Sequence, residues 1–115
     1  MDKEAYAALL KRFRPRLEQE LAEIDRLSME NESWSAPVEL DQQSVGRVSR
    51  MDAMQMQAMS QAVQRRRTQR RHQLLQAFKR MNEGEFGYCA ECGEEIPSGR
   101  LDVDPTFSAC VRCAT

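Results

Sequence analysis

The chain has 115 residues, of which 30% are charged and 6% aromatic, and its formal net charge is −1. This composition is too polar and too poor in aromatic residues for a thick globular core, but it suits long helices that each bury one stripe. Because charged residues occur throughout the N-terminal region, we expect no signal peptide, no membrane span and a cytoplasmic protein.

The first predicted element is a long helix over about the first thirty residues. Its apolar residues recur at steps of three and four, which is the spacing of one buried stripe on a helix. Pro15 falls inside this stripe without changing its phase, so we expect a kink there and not a break. The stripe consists of Tyr6, Leu9, Leu10, Phe13, Leu17, Leu21, Ile24 and Leu27.

A second long helix is predicted from about Asp41 to Asn82. Residues 29–42 are rich in turn formers, Asp41 or Ser44 could cap the helix, and Gly84 is its stop signal. The methionine-rich run 51–59 suits either an adaptable contact surface or the filling of an irregular core, and we expect Met51 and Met54 to pack in the core. The predicted apolar stripe is Val45, Val48, Met51, Met54, Ala58, Ala62, Leu74, Phe78 and Met81.

Two long amphipathic helices with a short connection predict an antiparallel hairpin. We therefore expect a mostly α fold, with a long two-helix hairpin (coiled coil) at residues 1–84, its tip near 33–44, and a small four-cysteine zinc-finger module at 85–115.

Charge is distributed unevenly along the chain. Residues 45–82 hold nine basic residues and one acid, whereas residues 83–115 hold seven acids and two arginines. If the hairpin folds about residue 38, the basic segment 64–73 lies beside basic residues of the first helix and forms a positive band. Such a band is either a solvated face or a docking surface for an acidic protein or a nucleic acid. The arginines of this band are Arg65, Arg66, Arg67, Arg70 and Arg71, and their expected basic neighbours are Lys3, Lys11, Arg12 and Arg14.

Four cysteines lie in the last part of the chain with the spacing of a zinc site. Cys89 and Cys92 form one C-x2-C pair and Cys110 and Cys113 another. Two disulfides or four ordinary buried thiols are the alternatives, but disulfides are uncommon in the cytosol. Four thiolates close a tetrahedral site and leave no position for a catalytic water, so the prediction is one structural Zn²⁺ and no enzymatic activity. A segment this short needs the metal to fold.

The residues around these cysteines resemble the DksA/TraR zinc-finger family of bacterial transcription regulators. The matching positions are Gly87, Tyr88, Cys89, Cys92, Gly93, Ile96, Arg100, Leu101, Pro105, Cys110 and Cys113. The resemblance implies binding to RNA polymerase, with the hairpin inserted into the secondary channel and its tip near the active site. It implies a change in the stability of promoter complexes, and it makes ppGpp a candidate ligand.

The best-known family member has a tip motif of the form D-x-x-D-x-A. Here the corresponding stretch begins at Asp41 and has Ser44 and Gly46 in place of the second acid and the alanine, with Glu39 nearby. Asp41 and Glu39 are therefore the candidate tip residues for partner binding.

Two other functions compete with polymerase regulation. One is a DNA-binding C4 zinc finger, which the excess of acids in residues 83–115 argues against, because phosphates would repel it. We therefore expect no sequence-specific DNA contact. The other is a zinc-stapled adaptor for a different protein partner.

Overall fold

The computed structural model describes residues 1–31 and 47–114, and in these ranges the chain is mostly helical. The two long helices are α1 (Lys3–Asn31) and α2 (Arg47–Glu83), followed by the short helices α3 (Ser98–Val103) and α4 (Val111–Ala114). A single antiparallel bridge joins Tyr88 and Glu95. The predicted fold class, two long helices followed by a cysteine cluster, is confirmed. None of the helices in the described ranges is both long enough and apolar enough to span a membrane.

Helix α1 follows the predicted stripe closely. Phe13, Leu17 and Ile24 are buried, and the other stripe residues are half-buried. The helix continues through Pro15, as its unbroken apolar phase predicted. At its start, the Ala5 amide donates to the Asp2 carboxylate at 2.7 Å, which satisfies one of the amides that a helix N-terminus leaves free.

Helix α2 ends where the sequence predicted, through a left-handed glycine. Gly84 has φ +75°, and its amide donates to the Met81 carbonyl at 3.3 Å. The Glu85 amide donates to the Arg80 carbonyl at 2.8 Å, which completes a Schellman motif. The predicted start of α2, at Asp41 to Gly46, lies outside the described residues.

The predicted core positions Met51 and Met54 are wrong, since their exposed fractions are 64% and 58%. The half-buried line of α2 runs instead through small and polar residues on a different side of the helix. It continues into the buried residues Leu74, Ala77 and Met81 with steps of three and four. The members of this line are Ala53, Gln57, Ser60, Val63, Gln64, Arg67 and Arg70, and Ala62 of the predicted stripe is half-buried beside it. A stripe chosen by apolarity misses the first half of this line, because the contact face there is largely polar. In the second half the predicted Leu74 and Met81 are buried and Phe78 is half-buried, whereas the predicted Ala58 is exposed and Val45 and Val48 lie outside the residues whose burial is described.

The chain divides into two compact units. The first consists of residues 1–22 and 71–115, and the second of residues 23–70. Each unit thus contains part of α1 and part of α2, and the cysteine segment groups with the first unit. The sequence predicted a different kind of division, into domains 1–84 and 85–115 that fold separately. That division stays a prediction.

The register of the helices in the second unit corrects one expectation. The Arg67 guanidinium donates to the Leu27 carbonyl at 3.4 Å, so these residues lie opposite each other. A hairpin folded about residue 38 would instead place Arg67 opposite residue 9. The register within the second unit therefore differs from the expected one, whereas the expected basic neighbours Lys3, Lys11, Arg12 and Arg14 belong to the first unit and stay a prediction.

Candidate zinc centre

The four cysteines come together as a zinc site requires. The Sγ atoms of Cys89, Cys92, Cys110 and Cys113 all lie within 4.8 Å of one another. Cys92 Sγ and Cys110 Sγ are 3.8 Å apart. A tetrahedron with Zn–S bonds of about 2.3 Å has sulfur–sulfur edges of about 3.8 Å, so the spacing fits this ion. None of the four is in a disulfide, which removes the alternative of two bridges.

A tight turn aims the first cysteine pair at the common centre. The Gly93 amide donates to the Cys89 carbonyl at 2.9 Å, and the Cys89 amide donates to the Glu94 carbonyl at 2.7 Å. Gly93 has φ +77°, a conformation that side chains other than glycine rarely adopt. The spacing of two residues and this glycine together place both sulfurs on one side of the turn.

The second pair sits at the start of the short helix α4. The amides of Cys113 and Ala114 donate to the Cys110 carbonyl at 3.1 and 2.9 Å, which turns Cys113 back toward Cys110. The two turns are joined directly, because the Ala90 amide donates to the Ser108 carbonyl at 2.7 Å. Arg100 donates to the Ala109 carbonyl at 2.9 Å and fixes the approach to Cys110.

The four neighbouring thiols have different pKa values, because they share hydrogen bonds with one another and with the backbone. Backbone hydrogen bonds, first that of Cys110 and then that of Cys92, lower the pKa of the Cys89 thiol to about 6. Hydrogen bonds between the Cys113 thiol and the side chains of Cys110 and Cys89 raise the pKa of Cys113 to about 12. The pKa of Cys110 is lowered, chiefly by the backbone of Cys113, whereas that of Cys92 is raised. Four neighbouring thiols cannot all ionise without a cation, and a divalent ion would remove this restraint.

Aromatic contacts attach the cysteine segment to α1. Phe86, which is 1% exposed, packs its ring against Phe13 with centroids 6.1 Å apart. The Phe86 amide donates to the Tyr6 hydroxyl at 3.0 Å, and the Tyr6 ring stacks on Tyr88 at 6.3 Å. These contacts bury apolar surface immediately before the first metal-binding turn, and they hold that turn against the helix.

Charged contacts attach α3 to α1 and the first cysteine turn to α2. Arg12 donates to both carboxylate oxygens of Asp102 at 2.6 and 2.7 Å, and Arg16 donates to the Asp102 carbonyl at 2.8 Å. From α2, Arg80 donates to the carbonyls of Tyr88 and Glu85. Sequence reasoning missed these roles. Its prediction placed Arg12 in a basic band, and no local motif predicts that a residue ninety positions away accepts its hydrogen bonds.

The arginines of the predicted band do not share one environment. Arg65, Arg66 and Arg71 are exposed, whereas Arg67 and Arg70 belong to the half-buried line of α2. The exposed Arg65 lines a shallow groove together with Gln61, Gln64, Thr68 and Gln69. The candidate tip residues Glu39 and Asp41 lie outside the described residues.

Comparison with known proteins gives a family for the end of the chain. Residues 84–115 match the family model of the prokaryotic dksA/traR C4-type zinc finger. The chain is 45% identical over 38 residues to the RNA polymerase-binding transcription factor DksA of Haemophilus influenzae, and 42% identical over 38 residues to that of Escherichia coli. Each match covers 33% of this chain and about a quarter of the relative, 26% and 25% respectively.

The fold is similar to a solved structure over nearly the whole chain. The transcription factor DksA2 of Pseudomonas aeruginosa matches with a TM-score of 0.71 at 19% identity, covering 99% of this chain and 83% of that one. At this identity the match establishes the fold. With the family match and the cysteine cluster, the cofactor is one structural Zn²⁺.

Proposed function

Because residues 84–115 form a zinc finger of the DksA/TraR family, we propose that the chain is a transcription regulator that binds RNA polymerase and modulates initiation. In this proposal the two-helix hairpin enters the secondary channel of the polymerase, and the zinc finger remains at its base. Such a protein acts in the cytoplasm, where transcription takes place.

The observation that carries the proposal is the combination of this finger with the DksA2-like fold along 99% of the chain. The curated relatives that match the finger are named RNA polymerase-binding transcription factors. Because their match covers 33% of this chain, the hairpin's role rests on the fold and on its own residues.

The zinc finger has a structural task in this proposal. Cys89, Cys92, Cys110 and Cys113 hold the ion, which keeps the two turns together. The aromatic contacts of Phe86 and the bidentate Arg12–Asp102 pair then fix the finger on the helices. All four ligands are cysteines, which leaves no position on the ion for a catalytic water.

The tip carries the regulatory effect in this proposal, with Asp41 and Glu39 as the candidate acids. Asp41→Asn removes the charge but keeps a capping oxygen, so helix stability should change little. We expect polymerase binding to survive, while the change in promoter-complex lifetime caused by the protein shrinks or vanishes. An in vitro transcription assay at matched occupancy measures this. Full regulation by the Asp41→Asn protein would remove Asp41 from the functional residues.

The exposed arginines supply part of the affinity in this proposal. Arg65→Glu with Arg66→Glu reverses two exposed charges that face an acidic partner, so binding to polymerase and its salt dependence should weaken together. Lys79→Glu is compared with Arg65→Glu alone, so that each protein reverses one charge, since Lys79 is likewise an exposed base on the same helix. If the protein with Arg65→Glu and Arg66→Glu binds polymerase with unchanged affinity and unchanged salt dependence, these arginines only form a solvent-exposed face.

A further inference from the structure

The first half of α2 has an apolar face that stays exposed among the residues that the structure describes. Met51, Met54 and Met59 have exposed fractions of 64%, 58% and 64%, and Ala58 between them is also exposed. With about 100° between successive residues, these four side chains fall within less than half of the helix circumference. We call them the methionine face. Met56, which is 67% exposed, lies at its margin.

Over residues 51–59 this face lies opposite the half-buried side of α2, whereas Ala62, one turn further on, is half-buried in the direction of the face. The half-buried residues of the same stretch, Ala53, Gln57 and Ser60, lie on the opposite side of α2. Four of the seven methionines of the chain fall within residues 51–59. A single exposed apolar residue is ordinary, but a contiguous group on a helix of mostly polar sequence marks an interaction surface. Methionine suits such a surface, because its unbranched and polarisable side chain adapts to the partner.

The charges next to the face define what it fits. Arg65 and Arg66 continue it toward the end of the unit, and both are exposed. Asp52 is the only acid between residues 47 and 70. The exposed arginines of the described part of this stretch are Arg50, Arg65 and Arg66, since Arg67 and Arg70 belong to the half-buried line. The exposed residues of this surface carry more arginines than acids, so two copies of it would repel each other, which disfavours pairing with itself. A partner surface with acidic residues and protruding apolar side chains complements both the arginines and the methionine face.

We propose that the methionine face, together with Arg65 and Arg66, is a docking surface for an acidic amphipathic segment of a protein partner. This inference rests on the proposed function, and it names the part of α2 that contacts RNA polymerase and the chemistry of the polymerase surface that it meets. Apolar burial on the methionines contributes affinity that salt does not screen, whereas the arginines contribute the salt-dependent part.

Methionine oxidation tests the surface directly. The zinc-loaded protein is exposed briefly to hydrogen peroxide, alone and with excess purified RNA polymerase core enzyme, and sulfoxides are located by mass spectrometry. Alone, the methionines of the face should oxidise readily, whereas Met81, which is 4% exposed, should not. In the complex, Met51, Met54 and Met59 should be protected. Protection already present in the free protein, by a second copy or by the chain itself, would overturn the proposal, as would ready oxidation in the complex.

A binding measurement separates this inference from the proposed function. In the triple variant Met51→Gln, Met54→Gln and Met59→Gln, helix stability should hold, because glutamine and methionine have similar helix propensities. We expect its dissociation constant for the core enzyme to rise by about tenfold or more at unchanged salt dependence. Met29→Gln is the control, since Met29 is 77% exposed on α1, and it should bind as the unchanged protein does.

The outcomes are distinct. If the unchanged protein does not bind the core enzyme, the proposed function fails. If it binds and the triple variant binds equally well, the docking surface is wrong and the proposed function stands. A triple variant that converts a dimer of the free protein into a monomer would assign the face to a second copy, against the proposal.

Discussion

The cysteine segment approaches α1 closely at Gly87. The effect of an alanine there can be predicted, and Gly84 serves as the control position. Gly87 has φ +85°, and a Cβ atom added there would lie 2.7 Å from Leu9 Cδ2. Gly84 has a similar φ of +75°, but a Cβ there would meet nothing within 4 Å. The two glycines therefore share one backbone requirement and differ in the space around them.

Alanine at either position requires a left-handed conformation, which costs about 1–2 kcal/mol for a residue with a Cβ. At Gly87 the half-buried Leu9 side chain must also move aside, and holding it off its preferred rotamer adds about 0.5–1.5 kcal/mol. We therefore expect Gly87→Ala to lower the free energy of unfolding by about 1.5–3.5 kcal/mol, and Gly84→Ala by about 1–2 kcal/mol. Urea unfolding of the zinc-loaded proteins, followed by circular dichroism, measures both.

A second substitution checks the cause. Leu9→Ala removes the atom that the new Cβ would meet, so Leu9→Ala should cost less in the Gly87→Ala protein than in the unchanged one. A coupling of about 0.5–3 kcal/mol is the usual range for residues in contact. Equal losses for Gly84→Ala and Gly87→Ala, together with no coupling to Leu9, would refute the packing at this position.

Three further predictions concern the zinc centre and its attachment. Cys113→Ser should abolish stoichiometric zinc and increase hydrogen exchange in residues 85–115, while most of the helical circular dichroism signal remains; a protein that keeps one zinc would contradict this. At neutral pH, zinc binding should release at least two protons, because the raised pKa values of Cys113, about 12, and of Cys92 leave both thiols protonated, whereas Cys89, at about 6, is already ionised. Affinity for zinc should accordingly fall as the pH is lowered, and an indicator dye that detects no proton release would refute it. Phe86→Ala should cost about 3–5 kcal/mol of unfolding free energy, since this ring is 1% exposed, whereas Leu75→Ala, at 39% exposure, should cost clearly less; equal losses would remove the Phe13–Phe86 contact from the account.

The sequence predicted the structure best at positions where the residue type itself indicates its role, such as metal binding, burial or a left-handed turn. The cysteine spacing predicted a cluster whose sulfurs do lie within 4.8 Å of one another. The steps of three and four in α1 predicted the buried Phe13, Leu17 and Ile24. Gly84 predicted the end of α2, because a left-handed position after a helix favours glycine.

The sequence was least informative along the first half of α2. There the contact line contains Gln57, Ser60 and Gln64, so apolar periodicity selected the opposite face, and Met51 and Met54 were assigned to the core. The predicted register of the two helices was also wrong. It followed from a turn placed at residue 38 on composition alone, and an error in the turn position shifts every pair of opposing residues. The contact between Arg67 and Leu27 depends on both helices at once, and no local pattern contains it.

The resemblance to the DksA/TraR family rests on residues that build the finger. Gly87, Ile96, Leu101 and Pro105 are all buried, so they identify the fold of this segment and not its partner. The partner is the part that an experiment must supply.

Binding of the zinc-loaded chain to purified bacterial RNA polymerase core enzyme is therefore the most direct test of the central claim. The labelled protein is titrated with core enzyme, and a Cys113→Ser protein of the same concentration serves as the matched control for an intact finger. The account predicts saturable binding with one chain per polymerase, weakened by salt and by loss of the finger. Absence of saturable binding by the zinc-loaded protein, at concentrations where its fold is intact, would contradict it.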